Sequence, residues 1–179
     1  MLTNENVSPL RSGEASTLKV YAEGILPDLV SARGFTIVED PKEADLALLQ
    51  LKAPYEPRPG GFEAHFHAGS LEYSQDAKSR QTQIFAKVPP VIVDLYLDRP
   101  AVISEIAEQA AALLVSYGSS ADAFLDVVLG QAAPEGKLPF DLPRSMQAVR
   151  ESREDLQYDT KDPLFRFGHG LKYSLSWED

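Results

Sequence analysis

The chain has 179 residues, 44% of them hydrophobic and 25% charged, with a formal net charge of −10 and no cysteine. That length fits one domain able to bury roughly two-thirds of its unfolded surface. Acidity and the lack of any Lys/Arg run argue against a phosphate-backbone or anionic-lipid binder, so neither nucleic acid nor membrane is expected as a partner. Without cysteine, disulfides, thiolate nucleophiles and Cys-based zinc sites are excluded.

Met1-Leu2-Thr3-Asn4-Glu5-Asn6 carries neither the basic nor the apolar region of a signal peptide, and no signal peptide is expected in this chain. No apolar run approaches the ~18 residues of a membrane helix. Leu18 to Ala22 reads as a first strand ended by Gly24. Pro27 suits the first turn of a short helix, where its missing N–H costs nothing, and Gly34 ends that helix. Phe35 to Val38 reads as a second strand, and Ala44 to Leu51 is a near-continuous apolar run, the pattern of a strand covered on both faces. Pro54 to Gly61, with three prolines and two glycines, is a loop.

A helix is predicted from Ser74 to Lys87, with Ala77, Ile84 and Val88 on one face. Val91 to Leu97 is a strand, Ile103 to Ala110 a helix and Ala112 to Tyr117 another strand. Ser119 is the expected N-cap of a last helix, with Phe124, Leu125, Val128 and Leu129 as its buried stripe and Gly130 as its C′ glycine. This alternation implies a mainly parallel sheet with helices on both faces. After Gly130 the helical period is lost, and only loops and a terminal strand near Leu171 to Trp177 are expected.

Two Gly/Pro-bracketed segments close the chain: Pro134-Glu135-Gly136-Lys137-Leu138-Pro139-Phe140, and Phe165-Arg166-Phe167-Gly168-His169-Gly170-Leu171-Lys172-Tyr173. Together with Asp126-Val127-Val128-Leu129-Gly130 they resemble the end of the C-terminal domain of glycoside hydrolase family 3, the β-glucosidase and β-xylosidase family. The likeness runs through the chain. Leu2-Thr3-Asn4 and Ser8-Pro9-Leu10 are similar to the family's entry segment, and Ala44-Asp45-Leu46 to its Ala-Asp-aliphatic strand. Asp98-Arg99-Pro100 stands where the family has Gly-x-Pro, with the glycine replaced.

The resemblance implies an α/β fold: a three-layer α/β/α sandwich with a mainly parallel sheet, flavodoxin-like, occupying residues 1–179 as one domain. It also implies a retaining exo-acting β-glycosidase completed by an N-terminal TIM-barrel domain of the same polypeptide. That barrel supplies an aspartate nucleophile, and this domain supplies a glutamate general acid/base from a loop over the pocket. In such enzymes the two carboxyl groups stand about 5–5.5 Å apart. A TIM barrel alone exceeds the length of this chain, so the chain by itself is expected to be inactive. A β-linked sugar is the implied substrate, and neither a metal nor an organic cofactor is implied.

Family members carry the acid/base shortly after the Ala-Asp strand, in motifs such as Glu-Gly-x-Asp-Arg or His-Glu-Ala-x-x-Arg. Here that place is Gly60-Gly61-Phe62-Glu63-Ala64-His65-Phe66-His67, and Glu63-Ala64 aligns best. Glu63 is therefore the candidate acid/base, with Glu56 and Glu72 as alternatives in the same region. The motif arginine is missing, and His67 stands four residues after Glu63 in its place. His65 and His67 are the candidate sugar contacts. As a metal pair they would need an extended His-x-His segment and further ligands, of which only His169 remains. Ser116, Ser119 and Ser120 fail the Gly-x-Ser-x-Gly spacing of a nucleophile elbow. Phe165, Phe167 and Leu171 read as a plug pinning the chain end to the core. The alternative to a catalytic domain is a carbohydrate-binding or interaction module of the same fold, and an uncovered docking surface allows homodimer formation.

Overall fold

The computed structural model describes residues 1–4, 10, 13–88, 90–153 and 155–172. Among these, Lys19–Glu23 (β2), Thr36–Ile37 (β3), Leu46–Lys52 (β4), Val91–Tyr96 (β5) and Ala112–Ser116 (β6) form a parallel sheet. A short antiparallel strand, Thr3–Asn4 (β1), lies along β6. The sheet order is β1-β6-β5-β4-β2-β3. Counting only the parallel strands, that is the doubly wound order of flavodoxin-type sheets, which reverses between β2 and β4.

Side chains alternate across β4 and sort the core into two layers. Ala47 and Leu49 face one way and pack with Val93, Leu95, Ile84 of helix Gln75–Lys87 (α2) and Ile106 of helix Ser104–Gln109 (α3). Leu46 and Leu48 face the other way, against Val30 of helix Pro27–Ala32 (α1) and Phe124, Leu125 and Val128 of helix Ala121–Val128 (α4). Leu48, Leu49 and Val93 are fully buried, which is why β4 and β5 read as continuous apolar runs. The result is a three-layer α/β/α sandwich. No helix among the described residues is long and apolar enough to cross a membrane.

Local chemistry places the helix ends. Ser74 accepts a hydrogen bond from the Ala77 N–H at 3.3 Å and caps α2 as expected. The cap of α4 is Ser120, accepting from the Ala123 N–H at 3.3 Å, and not Ser119. The one-residue difference arises because the extended backbone that a cap requires falls at Ser120. Gly130 follows α4 at φ 69°, as the C′ reading requires.

The end of the chain holds more structure than its sequence predicts. Leu142–Pro143 (β7) and Pro163–Phe165 (β8) pair antiparallel around a helix, Met146–Glu151 (α5), capped by Ser145. The two signature segments dock on each other. Leu138 N donates to His169 O and Gly168 N to Leu138 O, both at 2.9 Å. His169 donates from Nε2 to the Leu2 carbonyl at 2.9 Å, so its ring serves backbone pairing. The expected plug is corrected: Leu138 and Leu142 fill the core with half-buried Phe165, while Phe167 (51% exposed) and Leu171 (37%) remain outside. Phe167 lies in the turn at Phe167-Gly168 and packs on the ring of Tyr158 instead, with centroids 4.2 Å apart. Residues 8, 9 and 173–177, which carry part of the entry segment and most of the expected terminal strand, lie outside the described residues.

Candidate functional site

The carboxyl end of a parallel sheet is where open α/β folds present loops to ligands. Here the chain leaves β4 at Lys52 and returns to α2 at Gln75, and residues 53–73 form an out-and-back excursion. The base of the excursion is closed by one antiparallel bridge between Glu56 and Ala68, with Glu56 N donating to Ala68 O at 2.9 Å. Gly69 sits at φ 79°, and a Cβ there would lie 2.4 Å from the Glu56 carboxyl. Ser70 N donates to Glu56 Oε1 at 3.1 Å. Tyr73 donates its hydroxyl to Lys52 O at 2.7 Å, and burial pushes its phenol above the ordinary range.

These contacts separate the three candidate glutamates. Glu56 closes the loop. Half-buried Glu72 is held at the loop's exit, where it bridges Val102, and its N–H donates to Ser70 Oγ at 3.1 Å. Glu63 lies in the 3-10 turn Gly61–His65 at the far end of the excursion, exposed to solvent. Its neighbour Phe62 is 78% exposed and meets the ring of Phe66 edge-on, centroids 5.0 Å apart. Glu63 thus adjoins uncovered aromatic surface.

His65 and His67 do not form an extended pair. His65 ends the 3-10 turn, and the chain becomes extended only from Phe66. His67 stacks on Tyr55 with centroids 3.9 Å apart and planes 12° from parallel, and its Nδ1 contacts Asp98 Oδ2. Asp98 follows β5, and its neighbour Arg99 donates from Nη2 to Gly69 O at 2.9 Å, lashing the excursion to the sheet's end. Among the described residues no group of three or more His, Cys, Asp or Glu is arranged to hold a metal.

One buried polar residue of this edge was not singled out from the sequence. Asp94, 2% exposed in the middle of β5, accepts from Gln50 Nε2 at 2.9 Å and from Ser116. Its signal was legible: it is the one charged residue in the apolar run from Val91 to Leu97. It borders a cavity of about 290 Å³ lined also by Tyr117, Phe124 and His169. Burial raises the Asp94 carboxyl above its ordinary range, opposed by the Gln50 and Ser116 hydrogen bonds, which favour the ionised form.

A carboxyl so raised binds its proton more tightly folded than unfolded. Its stabilising contribution is therefore complete below the ordinary unfolded value near pH 4 and is lost as pH rises through the folded value. Asp94→Asn removes this dependence. The wild-type melting temperature minus that of the variant is expected to fall from about pH 4 to pH 7. Thermal melts at several pH values check it, and a flat or rising difference contradicts it.

Comparison with known proteins gives a consistent family. The model described as the glycosyl hydrolase family 3 C-terminal domain matches residues 31–173. A probable beta-glucosidase C of Aspergillus flavus is 56% identical over 171 residues, covering 96% of this chain and 27% of that protein. A periplasmic beta-glucosidase/beta-xylosidase of Dickeya chrysanthemi is 36% identical over 176 residues, covering 97% of this chain and 26% of that protein. The solved structure of a Listeria innocua beta-glucosidase in complex with glucose matches with a TM-score of 0.69 over 97% of this chain and 32% of that one. At 16% identity, that last likeness concerns the fold alone. The chain thus spans about a quarter of the length of the curated relatives it matches.

Proposed function

The chain belongs to the glycosyl hydrolase family 3 C-terminal domain family, and from that premise we propose that it is one domain of a retaining, exo-acting β-glucosidase whose pocket a separate N-terminal barrel completes. The observation that carries this reading is Glu63, exposed at the far end of a loop whose base is tied down by Glu56, Gly69 and Arg99. The lengths of the matched relatives support a further domain, and their names support a β-linked glucoside as substrate.

In this scheme the Glu63 carboxylic acid gives its proton to the glycosidic oxygen while an aspartate carboxylate of the barrel attacks the anomeric carbon. The bond from that carbon to the oxygen breaks, and the aglycone leaves as a neutral alcohol. Glu63, now a carboxylate, takes a proton from water, whose oxygen displaces the aspartate and restores the acid. His65 and His67 contact the sugar from the same loop.

The purified chain alone is expected to release no aryl alcohol from an aryl β-glucoside, whereas a polypeptide joining it to the barrel turns over. Following released chromophore tests this, and turnover by the chain alone contradicts it. The uncovered Phe62 and Phe66 also support self-association of the lone chain as a homodimer, which sedimentation at rising concentration checks.

A further inference from the structure

Two positions differ from the motifs that the sequence resemblance implies: His67 stands where those motifs carry an arginine, and Asp98 where they carry a glycine. They are 31 residues apart in sequence, and in the fold they touch, through His67 Nδ1 and Asp98 Oδ2. A carboxylate only accepts, so the proton of a neutral imidazole resides on Nδ1 and the lone pair on Nε2. No described residue donates to Nε2. The ring's plane is set by its stack on Tyr55. Asp98 inherits its position from the sheet, since Leu97 N donates to Ser116 O at 2.9 Å and Arg99 holds Gly69 O at 2.9 Å.

We propose that Asp98 is a positioning residue acting through His67, and that together they make Nε2 a fixed hydrogen-bond acceptor for a hydroxyl of a neutral sugar. The inference rests on the reading of residues 53–73 as a wall of the sugar pocket. An arginine offers only donors and a permanent positive charge. The His67–Asp98 pair offers an acceptor with a negative charge behind it. The sugar hydroxyl it meets must donate, and a sugar carrying a carboxylate at that position is repelled. The pair therefore selects neutral hexosides or pentosides over uronic acid glycosides.

The test uses the barrel-joined polypeptide for kinetics and nitrogen-15 NMR of the imidazoles in this chain. His67 is expected to show one neutral tautomer protonated on Nδ1, which Asp98→Ala releases into a mixture. Asp98→Ala and His67→Ala should each raise KM for a neutral β-glucoside about tenfold with kcat nearly kept, and the double variant should be no worse than either alone. Asp98→Asn retains an acceptor oxygen of the same shape and should recover most of the loss, which also keeps the test valid if Asp98→Ala folds poorly. Persistence of the single tautomer in Asp98→Ala, or fully additive KM effects, overturns the proposal. Glu63→Ala serves as a separate arm. A normal kcat there, with coupled KM effects at His67 and Asp98, sinks the acid/base reading and leaves this one standing. A crippled Glu63→Ala with uncoupled KM effects does the reverse.

Discussion

Replacing Glu63 by Gln in the barrel-joined polypeptide is expected to lower kcat for an alkyl β-glucoside by about 10²–10⁴-fold. The amide keeps the size and the hydrogen bonding of the side chain but has no proton to give. The size of the loss is not the whole test, because a damaged loop also costs activity. Proton donation matters in proportion to the basicity of the departing oxygen. A dinitrophenoxide leaves without help, whereas an alkoxide does not. The loss in Glu63→Gln should therefore shrink steeply from alkyl to dinitrophenyl glucosides. Glu56→Gln, at the loop's base, loses part of the Ser70 N–H bond and should change both substrates by a similar factor. Measuring both variants against a graded series of leaving groups separates the two roles.

The second large effect concerns folding. Gly170→Ala is expected to destabilise the chain by about 1–3 kcal/mol, a fall in melting temperature of roughly 2–12 °C. A Cβ on Gly170 would lie 2.3 Å from the Gly136 carbonyl oxygen and 3.4 Å from its carbon, both backbone atoms that cannot swing aside. The substitution pries apart the two signature segments where Leu138 pairs with Gly168 and His169. Gly136→Ala is the control, since a Cβ there meets nothing within 4 Å and should cost under about 0.5 kcal/mol. Thermal melts of the two variants side by side decide the point. Equal losses would contradict the docking account.

What was legible in the sequence follows from how much context each element needs. The runs at Ala44 to Leu51 and Val91 to Leu97 announce themselves because both faces of β4 and β5 are buried, so nearly every residue must be apolar. Edge strand β3 was read as four residues and holds two, since only β2 pairs with it. Strands β1, β7 and β8 are too short for a period of two to show, and their pairing depends on partners far along the chain. Helix α5 buries only Ala148, so it carries no stripe, although Ser145 was available as a capping signal.

The candidate site divides in the same way. A Pro/Gly-rich loop after the Ala-Asp strand could be read from composition. That Glu56 is spent on closing the loop, and that Asp98 reaches His67, depend on contacts across 12 and 31 residues that no local pattern encodes.

The most direct measurement of the central claim is the pH profile of kcat/KM for the barrel-joined polypeptide and its Glu63→Gln variant, both taken with one weakly activated aryl β-glucoside whose leaving group still needs a proton, at enzyme concentrations high enough to follow the variant. The basic limb of such a profile reports loss of the proton that the acid must carry. With Glu63 in that role, the limb is present in the wild type and absent from Glu63→Gln on that same substrate. A basic limb that persists unchanged in Glu63→Gln would assign the proton donor to another residue and contradict the account.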